Sequence, residues 1–240
     1  MSIKISKENL KINKNKLKLY VSNRAFKPTA TTEFLIRDAL SIIKKPVDVL
    51  DLGCGIGVVG ILVNKFLKNR KKIYASDVSG EAIKIAEKNF RMHKCNFELK
   101  KGSLLSPWEG KKFDLIINDV SGISETIAKK SKWFKNVPCN SGKDGTKLTI
   151  KIIDSTSLHL NRNGGIIFPI ISLSNSKKIF NKLKKKFKTF KIISSNYWFL
   201  PDDLNSYKKK LLSMRKKKLI NFDVKYGKII CSTLIIYAKI

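Results

Sequence analysis

One turn limits what this chain can fold into more than any other stretch. Asp51-Leu52-Gly53-Cys54-Gly55-Ile56-Gly57 follows an apolar run, Val47–Leu52, and opens a helical one, Val58–Phe66. The glycines allow a tight strand-to-helix turn and leave the backbone bare for a ligand to approach. Asp77 ends the next strand, Lys72–Ser76, where a carboxylate can accept hydrogen bonds from both hydroxyls of a ribose. The pattern is that of a nucleoside-binding half of a doubly wound sheet.

Two ligands fit such a turn. Gly55-Ile56-Gly57-Val58-Val59-Gly60 is a literal GxGxxG, and Asp77 lies 20 residues after Gly57, so a dinucleotide is formally allowed. Asp51 and Gly53 sit at the strand end itself, and an acidic side chain there opposes a pyrophosphate. It suits the cationic methionine portion of S-adenosylmethionine.

The rest of the chain alternates strand and helix. Thr32–Ile43 has helical spacing, with Thr31 or Thr32 as a cap and Pro46 as its end. Glu81–Met92 and Leu148–Leu160 read as amphipathic helices, and Ser176–Lys186 as a basic one. Val47–Leu52, Lys72–Ser76, Asn96–Leu99, Phe113–Asn118, Ile166–Ile171, Phe190–Phe199 and Lys228–Ala238 read as strands, with Asn163-Gly164-Gly165 as a turn. Alternation of this kind implies a mostly parallel sheet covered on both faces, here with an antiparallel last strand. Residues 1–45 read as a polar arm and a helix, and 46–240 as the main domain, with a basic helical insertion near 203–218.

Composition narrows the setting. The net charge is +32, yet only six of the 50 basic residues are arginine, and lysines are spread over the whole chain. Two readings remain open: a surface for RNA or another polyanion, or a compositional bias that puts lysine wherever arginine would serve. Cys54, Cys95, Cys139 and Cys231 show no metal-ligand spacing, so no metal is expected. The N-terminus lacks the apolar core of a leader, and no apolar run is long enough to span a bilayer, so a cytoplasmic protein without membrane insertion is expected.

On these motifs the sequence resembles the class I, Rossmann-like methyltransferases related to the protein-(glutamine-N5) methyltransferases of release factors. Asp51 to Gly57 resembles their cofactor loop, and Asp77-Val78-Ser79-Gly80-Glu81-Ala82 their acidic turn. Gly102-Ser103 stands where that family has Gly-Asp near adenine, and Phe113–Asn118 resembles the strand that presents the acceptor motif. Gly142-Lys143-Asp144-Gly145, Leu160 to Gly165, and Pro28 to Glu33 match three further segments. The likeness covers residues 26–171. It implies a three-layer α/β sandwich with a mixed, mostly parallel seven-stranded sheet, and S-adenosyl-L-methionine as cofactor. Cofactor contacts are then expected from Asp51, Gly53, Cys54, Gly55, Gly57, Asp77, Val78, Ser103, Leu104 and Asn118.

The acceptor motif departs from the family. Asn-Pro-Pro-Tyr is replaced by Asn118-Asp119-Val120-Ser121. Methyl transfer from a sulfonium is a direct displacement, so the protein must align, desolvate and deprotonate the acceptor. Asn118 and Asp119 are the expected catalytic pair, accepting an N–H and steering its lone pair. The expected activity is N-methylation of a macromolecule linked to translation, a protein glutamine or an RNA base. A small-molecule methyltransferase and a cofactor-binding module without turnover are the alternatives. Trp108 and Trp133 fall in loops beside this site and offer rings for stacking, whereas His93 and His159 read as structural.

Overall fold

The computed structural model describes residues 3–45, 47–137 and 139–240. The chain opens with a hairpin, β1 (Ile5–Ile12) and β2 (Asn15–Ser22), then α1 (Ala30–Ile42). Strand and helix alternate through β3 (Val49–Leu52), α2 (Val58–Phe66), β4 (Ile73–Asp77), α3 (Gly80–Met92) and β5 (Phe97–Lys101). Next come β6 (Phe113–Asn118), a short α4 (Glu125–Ala128), α5 (Lys147–Thr156), β7 (Leu160–Ile171) and α6 (Ser176–Lys186). The last elements are β8 (Thr189–Phe199), α7 (Lys208–Lys216), β9 (Asp223–Lys225) and β10 (Lys228–Lys239).

The central sheet runs in the order β5-β4-β3-β6-β7-β10-β8, and the short β9 added on β10 makes it eight-stranded. Pairs from β5 to β7 are parallel. β10 is antiparallel to both β7 and β8. The expected mixed sheet with an antiparallel last strand is therefore present. Strand order reverses between β3 and β6, which is where sheets of this type open a crevice at their carboxyl ends.

Alternation along the strands divides the core. Val49, Ala75, Leu115, Ile117 and Ile167 pack under α1, α2 and α3. Their neighbours Leu50, Tyr74, Ile116 and Phe168 turn the other way, under α5 and α6. Period two is what allows one strand to feed both faces. A third cluster, with Leu200, Leu211, Met214, Phe222 and Cys231, lies beneath the segment joining β8 to β10.

Several local expectations are corrected. Residues 5–22 form a hairpin rather than a loose arm, because Leu17, Leu19 and Val21 alternate inward and join the core. Asn89 of α3 clamps it: its Nδ2 donates to the carbonyls of Tyr20 and Ile56, and its Oδ1 accepts from the Tyr20 N–H. The N-cap of α1 is Thr29, not Thr31 or Thr32. Pro46, expected to end that helix, lies outside the described residues, as do Met1, Ser2 and Pro138. Asn163-Gly164-Gly165 is not a free turn but part of β7, with Asn163 at φ 66°. A Cβ on Gly165 would stand 2.5 Å from the Tyr237 ring, so glycine there lets β10 close on β7. No described helix is long and apolar enough to cross a membrane.

Candidate active site

Register places the site. Leu52 pairs with Ser76 on one side and with Asn118 on the other. The next residue of each chain segment therefore stands in one row at the carboxyl edge of the sheet: Asp77, Gly53 and Asp119. Gly53 and Cys54 each donate a backbone N–H to the Ser76 carbonyl, at 2.9 and 3.0 Å, which pins the glycine turn to the end of β4. Asp119 N–H donates to the Leu52 carbonyl at 3.1 Å and ties the acceptor motif to the same turn.

A cavity of about 570 Å³ opens over this row. Its lining includes Gly53, Gly55, Asp77, Val78, Ser103 and Leu104. It also includes five aromatic residues, Phe26, Phe34, Trp133, Phe134 and Trp198. Phe26 and Phe134 pack with centroids 5.1 Å apart, and Trp133 meets Trp198 edge-to-face at 5.8 Å. Asp119 lines the same wall.

The residues around Asp77 have the chemistry that a nucleoside with a methionine tail requires. Asp77 Oδ2 accepts from the Gly55 N–H at 3.0 Å, and Oδ1 from the Ser79 N–H at 2.8 Å. Both oxygens are held in place, and each keeps a lone pair for a hydroxyl donor. Burial raises the Asp77 pKa, opposed by the N–H groups of Ser79, Gly55 and Val78. A Cβ on Gly53 would lie 2.7 Å from Val120 Cγ2, so only glycine leaves the turn open against the acceptor motif. The cavity volume falls within the range that encloses ligands of this size. These residues fit S-adenosylmethionine.

Four expected cofactor residues lie off this cavity. Asp51 is fully buried beneath the turn, where Oδ2 accepts from the Gly60 N–H and Oδ1 has no partner among the described residues. Burial pushes its pKa up to about 8, against the Gly60 hydrogen bond and with help from nearby Asp119 and Asp77. Cys54 is buried, and that burial, with Asp51 and Asp77 nearby, pushes its thiol pKa well up. Gly57 caps α2 at φ 87°, and a Cβ there would meet the Phe90 ring at 3.2 Å. Asn118 is only 2% exposed, and its Oδ1 accepts from the Val120 N–H at 3.0 Å. Its side chain therefore closes its own turn instead of reaching the cavity.

Asp119 is held by a residue the motif search passed over. Thr32 Oγ1 donates to Asp119 Oδ2 at 2.7 Å and accepts from the Thr29 N–H at 3.3 Å. Burial raises the Asp119 pKa to about 6, and the Thr32 hydroxyl opposes the rise. The segment Pro28 to Glu33 was legible as a family motif, but a contact across 87 residues was not. Trp198 lies in no motif that carries chemistry, and Phe26, which opens the Phe26–Glu33 family segment, carried no assigned role, yet both line the cavity. Of the two tryptophans expected near the site, Trp133 lines the cavity. Trp108 is core, with its Nε1 donating to Ser76 Oγ. His93 and His159 donate to the carbonyls of Lys18 and Lys111 and are structural.

Comparison with known proteins agrees with this geometry. Residues 27–119 match the methyltransferase small domain, which spans α1, the glycine turn, Asp77 and Asp119. A putative protein N5-glutamine methyltransferase of Methanocaldococcus jannaschii is 27% identical over 168 residues, 70% of this chain and 83% of that protein. The release factor glutamine methyltransferase of Borreliella burgdorferi is 32% identical over 148 residues, 58% of this chain but only 51% of that protein. The T. thermophilus 16S rRNA N2 methyltransferase, solved with AdoMet and guanosine, shares the fold with a TM-score of 0.62. It is 10% identical and covers 99% of this chain and 50% of that one. Residues 27–119 thus carry a methyltransferase small domain, and the chain as a whole is similar to S-adenosylmethionine-dependent methyltransferases in sequence and in fold.

Proposed function

We propose that the enzyme methylates a nitrogen on a macromolecule of the translation apparatus, a protein glutamine or an RNA base, in the cytoplasm. The observation that carries this reading is the row Asp77, Gly53, Asp119 beneath one cavity with polar and aromatic lining. Relatives named for a ribosomal protein and a release factor supply the link to translation. The two acceptors stay together here because both present a planar N–H group.

In this reading Asp77 holds the ribose, while Val78, Ser103 and Leu104 border the adenine. Gly53 and Gly55 let the methionine end lie against bare backbone. Asp51 and the buried Cys54 and Gly57 shape the turn from behind. Bound S-adenosylmethionine supplies an electrophilic methyl group on a sulfonium. Held there, that methyl group would be open to direct displacement by the acceptor nitrogen, with the C–S electron pair left on sulfur. Asp119, with Oδ2 fixed by Thr32, offers Oδ1 to the acceptor N–H and takes the proton. The aromatic side chains of the lining exclude water and orient the acceptor plane, which strengthens the Asp119 contact. Asn118 acts through the turn that sets Asp119 and Val120.

The test is transfer of labelled methyl groups from S-adenosylmethionine into a ribosome-containing extract, with protein, RNA and small-molecule fractions counted apart. Counts in protein or RNA are expected. Counts confined to small metabolites, or cofactor binding with no transfer to any fraction, would overturn the proposal.

A further inference from the structure

Outside the cavity, one part of the sheet is left bare. β8 is an edge strand, paired among the described residues on one side only, with β10. On the face toward α5 and α6, Phe190 packs against Phe180 of α6, and Leu234 joins the core there. Further along the same face the cover stops. Tyr197, opposite Ser232, is 70% exposed, and Phe199, opposite Ile230, is 63% exposed. The β9–β10 hairpin extends this face with Lys225 paired to Lys228, and it ends in the fully exposed Tyr226. Lys228 Nζ lies 5.4 Å from the Phe199 ring centroid. One carboxylate, Asp223, sits beside Ile230 at its border.

We infer that this face of β8 and β10 is a docking platform for single-stranded RNA. Side chains two apart on a strand stand roughly 6.6 Å from each other on one face. Two exposed rings at that spacing, with cations beside them, are what a sheet needs to stack successive unpaired bases while lysines track the phosphates. The occupant follows from charge. The chain carries +32, so a second copy would bring like charge against like, whereas a polyanion is attracted. A duplex keeps its bases stacked on each other and has no use for exposed rings.

The platform also adjoins the reaction cavity. Trp198 lies between Tyr197 and Phe199 but turns to the other face, where it lines the cavity against Trp133. Because β8 is an edge, a strand of RNA bound on its outer face can pass around it to the cavity mouth. The inference rests on residues separate from the methyl-transfer site and narrows the macromolecule reading to RNA.

The test is fluorescence anisotropy of the full chain with a short labelled single-stranded RNA of mixed sequence, and with the matching duplex, over a range of salt. The single strand should bind more tightly than the duplex. Tyr197→Ala with Phe199→Ala should weaken it by at least about tenfold and leave the salt slope unchanged. Tyr197→Trp with Phe199→Trp should retain the affinity. Lys225→Gln with Lys228→Gln should flatten the slope of log K against log salt by about 1.4. S-adenosylmethionine affinity should be the same in every variant, which shows that each is folded. The inference is overturned if the double alanine variant binds as the parent does, or if the duplex binds equally well. It is overturned equally if the rings instead support self-association or capture an acidic peptide. RNA binding that fails while methyl counts appear in protein would reject the platform and leave methyl transfer standing.

Discussion

Asp77 and Asp119 are both carboxylates at strand ends, but their surroundings give them different work. Two backbone N–H groups lock Asp77, so its remaining lone pairs face the cavity as fixed acceptors. Asp77→Ala should weaken S-adenosylmethionine binding by about 1.5–3 kcal/mol, read by calorimetry; an unchanged Kd would remove Asp77 from the ribose. Burial raises the Asp119 pKa to about 6, and only the ionised carboxylate can take the acceptor's proton. Methyl transfer should therefore fall as pH drops through about 6, and Asp119→Asn should abolish that limb. The Thr32 hydroxyl holds this pKa down, so Thr32→Val should move the limb upward and Thr32→Ser should leave it in place. A limb that ignores Thr32→Val would show that the pair is only structural. Asn118 binds the Val120 N–H, so Asn118→Asp, which keeps an acceptor there, should retain transfer that Asn118→Ala loses. Equal loss in both would mean that the side-chain amide itself meets the acceptor.

Elements are joined by a few polar clamps and by glycines that let them approach. Asn89 spends its whole amide on β2 and on the end of the glycine turn. Asn89→Ala leaves three buried backbone groups unpaired and should cost about 2–4 kcal/mol in urea denaturation. A smaller loss would mean that water replaces the amide. Gly60, one turn into α2, lets Phe90 of α3 press against the helix; a Cβ would lie 2.8 Å from that ring. Gly60→Ala should cost about 1–3 kcal/mol through overpacking, and Phe90→Leu in the same chain should recover part of it. The literal GxGxxG is thus divided by function. Its first glycine lines the cavity, while the other two serve helix packing.

At the scale of the molecule, a basic protein is built around an acidic centre. Asp51, Asp77 and Asp119 lie near enough to raise the pKa of Asp51, and burial raises it most. The folded Asp51 keeps its proton to about pH 8, whereas the unfolded one releases it near pH 4. Between those values the folded state binds more protons, so stability is greatest at the acid end and is lost as pH rises through about 8. The melting temperature should fall over that window, and Asp51→Asn should flatten the fall. A flat profile in the parent chain would mean that Asp51 is not protonated when buried. The surface charge acts on partners instead of on this core, because exposed lysines are screened while buried carboxylates are not.

Local rules were enough for the parallel half of the fold. A glycine turn after an apolar strand, an acidic residue at the next strand end and apolar periodicity depend on near neighbours, so β3, α2, β4, α3 and β6 could be read directly from the chain. The hairpin could not: its inward residues are spaced among lysines, and its partner, Asn89, is distant in sequence. The positions of Gly53, Gly55 and Asp77 were legible for the same local reason. The positions of Asn118 and Asp119 were not. Adjacent residues at a strand end point to opposite sides, and only packing chose which one faced the cavity. Phe26 and Trp198 reach that cavity from the loop before α1 and from β8, and Thr32 of α1 reaches Asp119 in its wall. Their meeting there depends on strand order and register, which set distances that no local spacing encodes.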